Sequence, residues 1–327
     1  MTIRKAFITG TGSYLPEKIL TNKDLEKLVD TSDEWIVQRS GIELRHIAAD
    51  NETVTDMAVA AARRAMESAG IRADQIDGII VATTTPDATF PAVAVKVQAA
   101  LGIGACPAFD VQAVCSGFVY ALSTANAYIR TGLASRMLVI GAEKMSSIVD
   151  WSDRGTCVLF ADGAGAVVVE ARDAPDDEGL EGQGIHSTHL YANGEGRDML
   201  YVDGGASTTG TAGHIRMQGR EVFKYAVTYL AEIVAEVLAQ NRIHPDEIDW
   251  LVPHQANIRI IESTAKKLDM PMERVVVTIN RHGNTSAASI PLALDEAVRD
   301  GRIQRGHMVL TEAMGGGFTW GAVLFRY

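Results

Sequence analysis

Several common kinds of site have little support in this 327-residue sequence. Its three cysteines, an odd number without CxxC spacing, argue against a disulfide framework or a zinc site. His186 and His189 are two potential ligands without a third nearby, which argues against a bound metal ion. Gly10 and Gly12 follow a predicted strand, but the third glycine of a dinucleotide-binding fingerprint is missing. Neither a metal nor a dinucleotide cofactor is therefore expected.

A basic surface and long apolar runs are missing as well. Asp and Glu number 41 against 30 Lys and Arg, a formal net charge of −11, whereas nucleic-acid binding requires concentrated positive charge. No apolar run approaches the roughly 20 residues of a membrane-spanning helix. The first ten residues lead into a predicted strand and a glycine turn rather than a secretory signal. These features predict a cytoplasmic protein that binds neither nucleic acid nor membranes.

What the sequence does contain is a duplication. Apolar strands alternate with helices in both halves, and four features recur in the same order, three of them at a step of 171 or 172 residues and the fourth at a step of 156. The matched pairs are Asp77 with Asp249, Ala121-Leu122 with Ala293-Leu294, Met137 with Met308, and residues 166–170 with 322–326. This order predicts an α/β fold of two related βαβ-type halves, with sheets covered on both faces. The polar segment 172–179 places the division between residues 1–172 and 173–327.

Three short segments, far apart in the chain, carry residues suited to thiol-based acyl transfer. Cys115 lies in the segment DVQAVCSG, His254 in VPHQAN and Asn284 in RHGNTS. A thiol can hold an acyl group, and an imidazole and a carboxamide can stabilise negative charge beside it. At the 172-residue step, Cys115 corresponds to Ala287 and His254 to Ala82. Each half therefore contributes groups that the other lacks.

Each of these residues also has a purely structural interpretation. Cys115 stands between a predicted strand and a helix beginning near Ser116, where the helix macrodipole would lower its pKa from about 8.5, yet a cysteine taken at random is most often a buried structural residue. His254 alone could be structural, and Asn284 could belong to an ordinary turn. The glycines 315–317 could form a bulge, or could let a backbone N–H approach a reacting carbonyl. It is the combination that favours a catalytic site.

The combination resembles one known family. Besides the catalytic segments, the resemblance is carried by TSDEWIVQRSGI at 31–42, DGAGA at 162–166, EVFK at 221–224 and GGGFTWG at 315–321. These segments are similar to the β-ketoacyl-acyl carrier protein synthase III family of thiolase-fold enzymes, and the likeness covers essentially the whole chain. The resemblance implies a thiolase-like, five-layered αβαβα fold built from two duplicated halves, and a homodimer.

The resemblance also implies a two-step mechanism that starts type II fatty-acid synthesis. Cys115 would take an acyl group from acyl-coenzyme A, with acetyl-coenzyme A as the expected primer. Malonyl-acyl carrier protein would then lose carbon dioxide, and His254 and Asn284 would stabilise the enolate that attacks the acyl thioester. The backbone N–H groups of Cys115 and Gly316 would form the oxyanion hole. Coenzyme A is a substrate here, and no cofactor is implied.

Substrate-binding residues are implied by the same likeness. Trp35 and Arg154 would sandwich the adenine of coenzyme A, and Arg39 would contact a phosphate. The pantetheine path would be lined by Thr31, Gly219, Phe223 and Asn257. A basic patch for the acidic carrier protein would consist of Lys224, Arg259, Lys266 and Lys267. Because Glu262 is interspersed in this patch, an ordinary solvated face is the alternative.

Two positions bear on the acyl pocket, and two other functions stay open. Phe90 matches a residue that reaches across the dimer to close the partner's pocket, and Met314 stands where family members often carry phenylalanine. Neither gives the length or branching of the primer. The alternatives are a related condensing enzyme of secondary metabolism with a special acyl thioester, and a catalytically silent partner subunit. The retained coenzyme A residues and basic patch favour fatty-acid synthesis over the first, and the presence of Cys115 argues against the second.

Overall fold

The structure, a computed structural model, describes residues 2–175 and 179–327. The strands within these ranges are β1 (Thr2–Tyr14), β2 (Lys18–Thr21), β3 (Leu44–Ile47), β4 (Gly78–Ala82), β5 (Ala108–Val111), β6 (Arg136–Lys144), β7 (Asp162–Pro175), β8 (Gly184–Ala192), β9 (Leu200–Val202), β10 (Ile215–Met217), β11 (Trp250–Pro253), β12 (Met308–Gly315) and β13 (Thr319–Arg326). The helices are α1 (Asn22–Leu25), α2 (Asp33–Ser40), α3 (Val54–Ala69), α4 (Val93–Leu101), α5 (Gly117–Arg130), α6 (Gly219–Asn241), α7 (Ile258–Lys267), α8 (Ile279–His282) and α9 (Ser289–Arg299). No helix in the described ranges is both long enough and apolar enough to cross a membrane.

Two sheets with the same strand order form the framework. The first sheet runs β1-β7-β6-β4-β5 and the second β8-β13-β12-β11. Parallel pairing joins β4 to β5 and β6 in the first sheet, and β11 to β12 in the second. The other neighbours in both sheets are antiparallel. Each strand of the second sheet therefore has a counterpart in the first with equivalent neighbours and direction.

Helices cover both faces of each sheet and give five layers. The outer face of the first sheet packs against α3 and α4 around Ile79 and Leu138. Between the two sheets lie α5 and α9, whose buried side chains, such as Phe118 and Leu294, contact both inner faces. The outer face of the second sheet packs against α6 and α7 around Leu310. This architecture confirms the predicted α/β fold with αβαβα layers.

The glycine pair in β1 has a packing role. Gly10 and Gly12 face α3, and a Cβ atom at either position would collide with the helix backbone at Ala65. Ala61 and Ala65 on this helix face are fully buried. Glycine on the strand and alanine on the helix therefore allow a close approach of the two backbones. The pair serves helix–sheet packing and not a nucleotide-binding loop.

The two sheets come from consecutive parts of the chain. The last strand of the first sheet, β7, runs to Pro175, three residues beyond the predicted division after residue 172. The second sheet starts with β8 at Gly184. Residues 176–178 of the predicted linker lie outside the described residues, and the division into 1–172 and 173–327 stays a prediction.

Candidate active site

Cys115 lies in a tight turn between a strand and a central helix. After β5, a 3₁₀ turn covers Val114–Ser116, and α5 begins at Gly117. Val114 has a φ of +48°, a left-handed value that is strained for a β-branched residue. The predicted order of strand, Cys115 turn and helix is confirmed, and the helix begins one residue later than expected.

Burial controls the protonation of this thiol. Cys115 is 5% exposed, and desolvation raises its pKa to about 12, with the Glu143 carboxyl group adding to the rise. The positive end of α5 favours the thiolate, as expected from sequence, but a macrodipole contribution of about 1 kcal/mol is too small to offset this change. The predicted lowering of the Cys115 pKa is therefore wrong, and the resting thiol is protonated at neutral pH.

His254 follows β11 and is held by its main chain and its ring. Its N–H donates to the backbone oxygen of Glu312 at 2.9 Å, and its Nδ1 lies 2.6 Å from Ser289 Oγ. Burial lowers the pKa of His254 to about 3, so the ring is neutral. Because Ser289 Oγ also accepts the N–H of Gln255 at 3.4 Å, its hydroxyl proton is available for Nδ1. The ring proton then resides on Nε2, which can donate to a substrate.

Asn284 follows α8 and is fixed by three hydrogen bonds. Its N–H donates to Leu159 O, and its carbonyl accepts the N–H of Ala161, both at 2.9 Å. The side-chain Oδ1 accepts the N–H of Ser286 at 2.9 Å. The acceptor end of the carboxamide is thus occupied, which orients its NH₂ group as a donor for a ligand.

Gly315, at the end of β12, packs against the Cys115 turn, and the next residue, Gly316, packs against Leu200. A Cβ atom at Gly315 would lie 2.8 Å from Cys115 N, and one at Gly316 would lie 2.6 Å from Leu200 O. Both distances are shorter than any side chain tolerates, so glycine is required for this close approach. The packing brings the β12 backbone to the thiol, as an oxyanion hole requires. Pairing of the Cys115 and Gly316 N–H groups in that role stays a prediction.

A cavity of about 550 Å³, here called the catalytic cavity, joins the three predicted catalytic residues. Cys115, His254 and Asn284 all line it. It is also lined by predicted coenzyme A contacts, namely Trp35, Arg39, Gly219, Phe223 and Asn257. Thr31 and Arg154 are outside this lining, and the Thr31 hydroxyl is buried without a hydrogen-bond partner. The fold therefore gathers most, but not all, of the predicted site residues around one space.

The predicted adenine site is closed by its own residues. The guanidinium of Arg154 lies 4.8 Å from the centre of the Trp35 ring, and that of Arg39 lies at 5.3 Å. Arg154 also donates to the backbone oxygen of Asp30 at 2.6 Å. An adenine between Trp35 and Arg154 would require the arginine to leave the indole face. Asn257, by contrast, caps α7 and donates to Arg39 O at 2.8 Å, which is a structural reason for its position.

A second cavity, of about 770 Å³, also reaches the thiol. It shares Cys115, Phe160 and Leu200 with the catalytic cavity. Its other walls include threonines and a glycine-containing loop, among them Thr84, Thr85, Thr89, Met145, Ile148, Gly204, Gly205, Ala212 and Ile215. Cys115 therefore lies at the junction of two cavities.

The two residues predicted for the acyl pocket are placed differently. Met314 lines the catalytic cavity and is absent from the lining of the second cavity. Phe90 is 82% exposed and follows Thr89, which lines the second cavity. The second cavity is thus the larger space beside the thiol, and Met314 does not shape it in this chain.

Comparison with known proteins agrees with this geometry. The family model for 3-oxoacyl-[acyl-carrier-protein] synthase III matches residues 109–194, and the model for its C-terminal part matches residues 238–327. A curated β-ketoacyl-[acyl-carrier-protein] synthase III from Rhodospirillum centenum is 62% identical, covering 99% of this chain and 99% of its own length. The chain belongs to the β-ketoacyl-[acyl-carrier-protein] synthase III family.

Solved structures of the family share the whole fold. The 3-oxoacyl-[acyl-carrier-protein] synthase III from Aquifex aeolicus has a TM-score of 0.92 and 51% identity, covering 98% of this chain and 100% of its own. The priming β-ketosynthase from the R1128 polyketide biosynthetic pathway has a TM-score of 0.91 and 34% identity, covering 99% of this chain and 96% of its own. The predicted thiolase-like fold is confirmed, and as a member of this family the chain is a condensing enzyme of the acyltransferase class.

The basic patch lies on two helices beside the catalytic cavity. All four of its residues are exposed: Lys224 on α6, and Arg259, Lys266 and Lys267 on α7. The guanidinium of Arg259 lies 5.2 Å from the centre of the Phe223 ring, and both residues line the catalytic cavity. The patch therefore borders the cavity that holds the predicted catalytic residues of this family member.

Polar groups behind the predicted catalytic side chains were not predicted from the sequence. Ser289 contacts His254, and Ser286 contacts Asn284 through its N–H. Glu143 lies fully buried near Cys115. The hydroxyl-rich run TSAAS after Asn284 was the one available signal for the serines. Nothing local marked Glu143, because its neighbours come from distant parts of the chain.

The described residues offer no metal centre. Within residues 2–175 and 179–327, no group of three or more His, Cys, Asp or Glu side chains could hold a metal ion. His189 instead has its Nδ1 2.8 Å from Glu236 Oε1 and its Nε2 3.1 Å from Ser187 Oγ. Both ring nitrogens of His189 are thus occupied by local hydrogen bonds.

Proposed function

We propose that this chain catalyses the condensation that starts type II fatty-acid synthesis. Acyl-coenzyme A acylates Cys115, and malonyl-acyl carrier protein then condenses with the acyl group to give 3-oxoacyl-acyl carrier protein and carbon dioxide. The observation that carries this proposal is the convergence of Cys115, His254 and Asn284 on one cavity, with Cys115 also open to a second one. The family relationship supports the same reaction.

In the first step Cys115 becomes a thioester. Its sulfur attacks the acyl carbonyl, the bond from that carbon to the coenzyme A sulfur breaks, and coenzyme A leaves as a thiol. The N–H groups of Cys115 and Gly316 stabilise the oxyanion of the tetrahedral intermediate. Close packing of Gly315 on the turn supports this assignment, because it holds the β12 backbone beside the thiol.

In the second step His254 and Asn284 bind the thioester oxygen of the malonyl group. Loss of carbon dioxide leaves an enolate whose negative charge is stabilised by the Nε2–H of His254 and the NH₂ of Asn284. The enolate carbon forms a bond to the acyl carbon, and the bond to Cys115 sulfur breaks. Both donors are neutral, which suits decarboxylation because no proton has to be removed from carbon. The low pKa of His254 keeps its ring neutral over the physiological pH range.

The two cavities bind different parts of the substrates. The catalytic cavity, with Trp35 and Arg39 in its lining, accepts the pantetheine of coenzyme A or of the carrier protein. The second cavity accepts the acyl chain once it is attached to Cys115. Exposure of Phe90 at 82% supports a homodimer in which this side chain is covered by the partner subunit. The acidic carrier protein docks on the basic patch, and residence in the cytoplasm stays a prediction.

A second candidate is condensation of a special acyl thioester in secondary metabolism. The likeness to the R1128 priming β-ketosynthase favours it at 34% identity, whereas the relative from Rhodospirillum centenum at 62% favours fatty-acid synthesis. The identity of the accepted primer separates the two candidates.

The test is the intact mass of the purified chain after exposure to a set of acyl-coenzyme A thioesters. A single acyl group on Cys115, followed by release of 3-oxoacyl-acyl carrier protein on addition of malonyl-acyl carrier protein, is expected. An acetyl or short branched adduct supports fatty-acid synthesis, and an adduct formed only with an unusual thioester supports the second candidate. Absence of any adduct would overturn both and favour a silent partner subunit.

A further inference from the structure

Arg45 is a buried cation in β3. Its side chain has no exposed surface, and burial lowers its pKa only to about 10, so the guanidinium stays charged at neutral pH. Within the described residues its hydrogen bonds go to two neutral groups, Val158 O and Asn22 Oδ1. A charge buried against neutral groups is costly, and such costs are typical of residues that serve a functional site.

The guanidinium holds one backbone oxygen with two of its N–H groups. Nε donates to Val158 O at 3.1 Å, and Nη2 donates to the same oxygen. Nη1 donates to Asn22 Oδ1 at 2.5 Å. Asn22 is fixed in turn, because its Nδ2 donates to Ile42 O at 2.8 Å and to Asp33 Oδ1 at 2.7 Å. The planar fork of the arginine is therefore held in one orientation against Val158.

Val158 lies directly before the backbone groups that bind Asn284. Leu159 O accepts the N–H of Asn284, and Ala161 N–H donates to Asn284 O, both at 2.9 Å. Residues 154–159 form turns, so this segment lacks the regular hydrogen bonding of a helix or a strand. A side chain that fixes Val158 O therefore also fixes the neighbouring oxygen to which Asn284 is bound.

The residue before Asn284 packs beside the same arginine. Gly283 has a φ of +65°, and a Cβ atom there would lie 3.2 Å from Arg45 Cγ. Just before β3, the N–H of Glu43 donates to Asn280 O in α8 at 3.0 Å, which ties the two segments together. Arg45 therefore lies against both pieces of chain that place Asn284, one residue away from the hydrogen bonds in each.

We propose that Arg45 is a positioning residue that sets the place of the Asn284 carboxamide in the catalytic cavity; this inference rests on the proposed function. Arg45 is outside the lining of that cavity, whereas Val158, Leu159 and Asn284 belong to it. The guanidinium fixes Val158 O, the next residue binds the main chain of Asn284, and the carboxamide then presents its NH₂ group to the enolate oxygen. A small displacement of such a donor is enough to slow a reaction markedly.

A purely structural role for Arg45 makes a different prediction. Loss of the arginine would then lower the stability of the fold, and would affect both half-reactions equally or neither. A positioning role affects condensation alone, because in the proposed function Asn284 binds the malonyl thioester oxygen and takes no part in acetylation. It also depends on the presence of the carboxamide. The two half-reactions therefore have to be measured separately, with and without the Asn284 side chain.

Arg45→Met is the main variant, and Arg305→Met is its matched control. Methionine keeps an unbranched apolar side chain and removes the guanidinium. Arg305 also donates to two backbone oxygens, those of Ile8 at 2.6 Å and Thr9 at 2.8 Å, but lines neither cavity. Rapid-quench intact mass gives the rate of acetylation by acetyl-coenzyme A. Condensation is then timed with protein that was fully acetylated beforehand, and thermal unfolding records the stability of each variant.

Arg45→Met should slow condensation about tenfold, less than loss of the carboxamide itself, because a displaced donor keeps part of its interaction. Its acetylation rate and its KM for malonyl-acyl carrier protein should stay within about twofold of the unsubstituted chain. Arg305→Met should change neither rate. Arg45→Lys, which keeps the charge and loses the planar fork, should recover part of the condensation rate.

The double variant with Arg45→Met and Asn284→Ala gives the sharpest test. Without the carboxamide its position no longer matters, so the double variant should condense as fast as Asn284→Ala alone. A residue that only stabilises the fold would instead lower the rate again by the same factor.

Several outcomes overturn the positioning role. These are unchanged condensation in Arg45→Met, equal losses in both half-reactions, or losses that multiply in the double variant. If Arg45→Met does not fold, Arg45→Lys decides through the same set of single and double variants. If the unsubstituted chain takes no acyl group from any thioester, the proposed function itself fails, which is a separate result.

Discussion

Two equivalent turns meet at the centre of this molecule, and only one of them carries the proposed nucleophile. The turns at 114–116 and 286–288 are 172 residues apart, and each immediately precedes a central helix, α5 or α9. Each begins with a left-handed residue, Val114 at φ +48° and Ser286 at φ +50°. The next position is Cys115 in the first turn and Ala287 in the second. The duplicated fold supplies the strained turn twice, and the side chains decide what each turn does.

The second turn and the helix after it instead contact the two residues proposed to stabilise charge. Ser286 donates its N–H to Asn284, and Ser289, whose counterpart in the first half is Gly117, contacts the ring of His254. In the proposed reaction, the first half provides the reacting sulfur, and the second half provides and orients the donors around it. A duplicated fold can therefore form a single site when its two halves carry different side chains at equivalent positions.

Moving the thiol from one turn to the other is the most severe test of this comparison. Cys115→Ala should abolish the acyl adduct and slow condensation by on the order of 10⁴-fold or more, as loss of a nucleophile does. Adding Ala287→Cys should not restore activity, because Gly315 packs on the backbone of the first turn. Intact mass and a condensation assay measure both effects. An acyl adduct at position 287 would mean that the two turns are interchangeable.

Removing a hydrogen-bond donor from the second half should slow condensation much more than acetylation. Asn284→Ala should slow condensation about 10²- to 10³-fold, because one of two donors to the enolate oxygen is lost. Acetylation of Cys115 should stay within about threefold, since that step uses the backbone N–H groups. Rapid-quench mass measurement and product formation from the acetylated protein give the two rates. An equal loss in both would assign Asn284 a structural role.

The sequence was sufficient for the parts of the site that are local. The strand, nucleophile turn and helix around Cys115 follow from a short apolar run, small residues and an amphipathic segment, and the repeat at 172 residues carried the architecture. The glycines 315–317 were recognisable as a close approach, although only the structure identifies Cys115 N as the atom approached.

The rest depends on contacts between distant segments. The carboxyl group of Glu143 accepts hydrogen bonds from Thr83–Thr85, 58–60 residues away, and no local pattern encodes that meeting. The effect of the helix macrodipole on the pKa of Cys115 could be predicted from the sequence, but the larger effect of burial could not. Met314 was expected at the acyl pocket because it occupies a position where family members often carry phenylalanine, and the structure places it in the lining of the catalytic cavity.

A smaller effect should come from the residue that orients His254. Ser289→Ala removes a hydrogen bond of about 1 kcal/mol, so condensation should slow roughly five- to tenfold while acetylation is unchanged. Without the Ser289 hydroxyl, nothing favours the tautomer of His254 that has its proton on Nε2. Nitrogen NMR of the ring should therefore show a smaller fraction of the Nε2–H tautomer. An unchanged tautomer together with slower condensation would attribute the loss to packing rather than to orientation.

The smallest effect is expected for the basic patch, which borders the catalytic cavity and does not contact the reacting atoms. Arg259→Glu should raise the KM for malonyl-acyl carrier protein about fivefold, because an exposed charge contributes modestly to docking. The acetylation rate should not change, and the difference in KM should shrink as salt is added.

Arg130→Glu is the matched control for this charge reversal. Arg130 is exposed and ends α5, so about 20 Å of helix separates it from the Cys115 turn. Both substitutions change the net charge equally, and only the one in the basic patch should alter carrier-protein use. Arg259 also lines the catalytic cavity beside Phe223. Equal losses in both half-reactions would therefore mean that Arg259 contacts the pantetheine path shared by both substrates and does not dock the carrier protein.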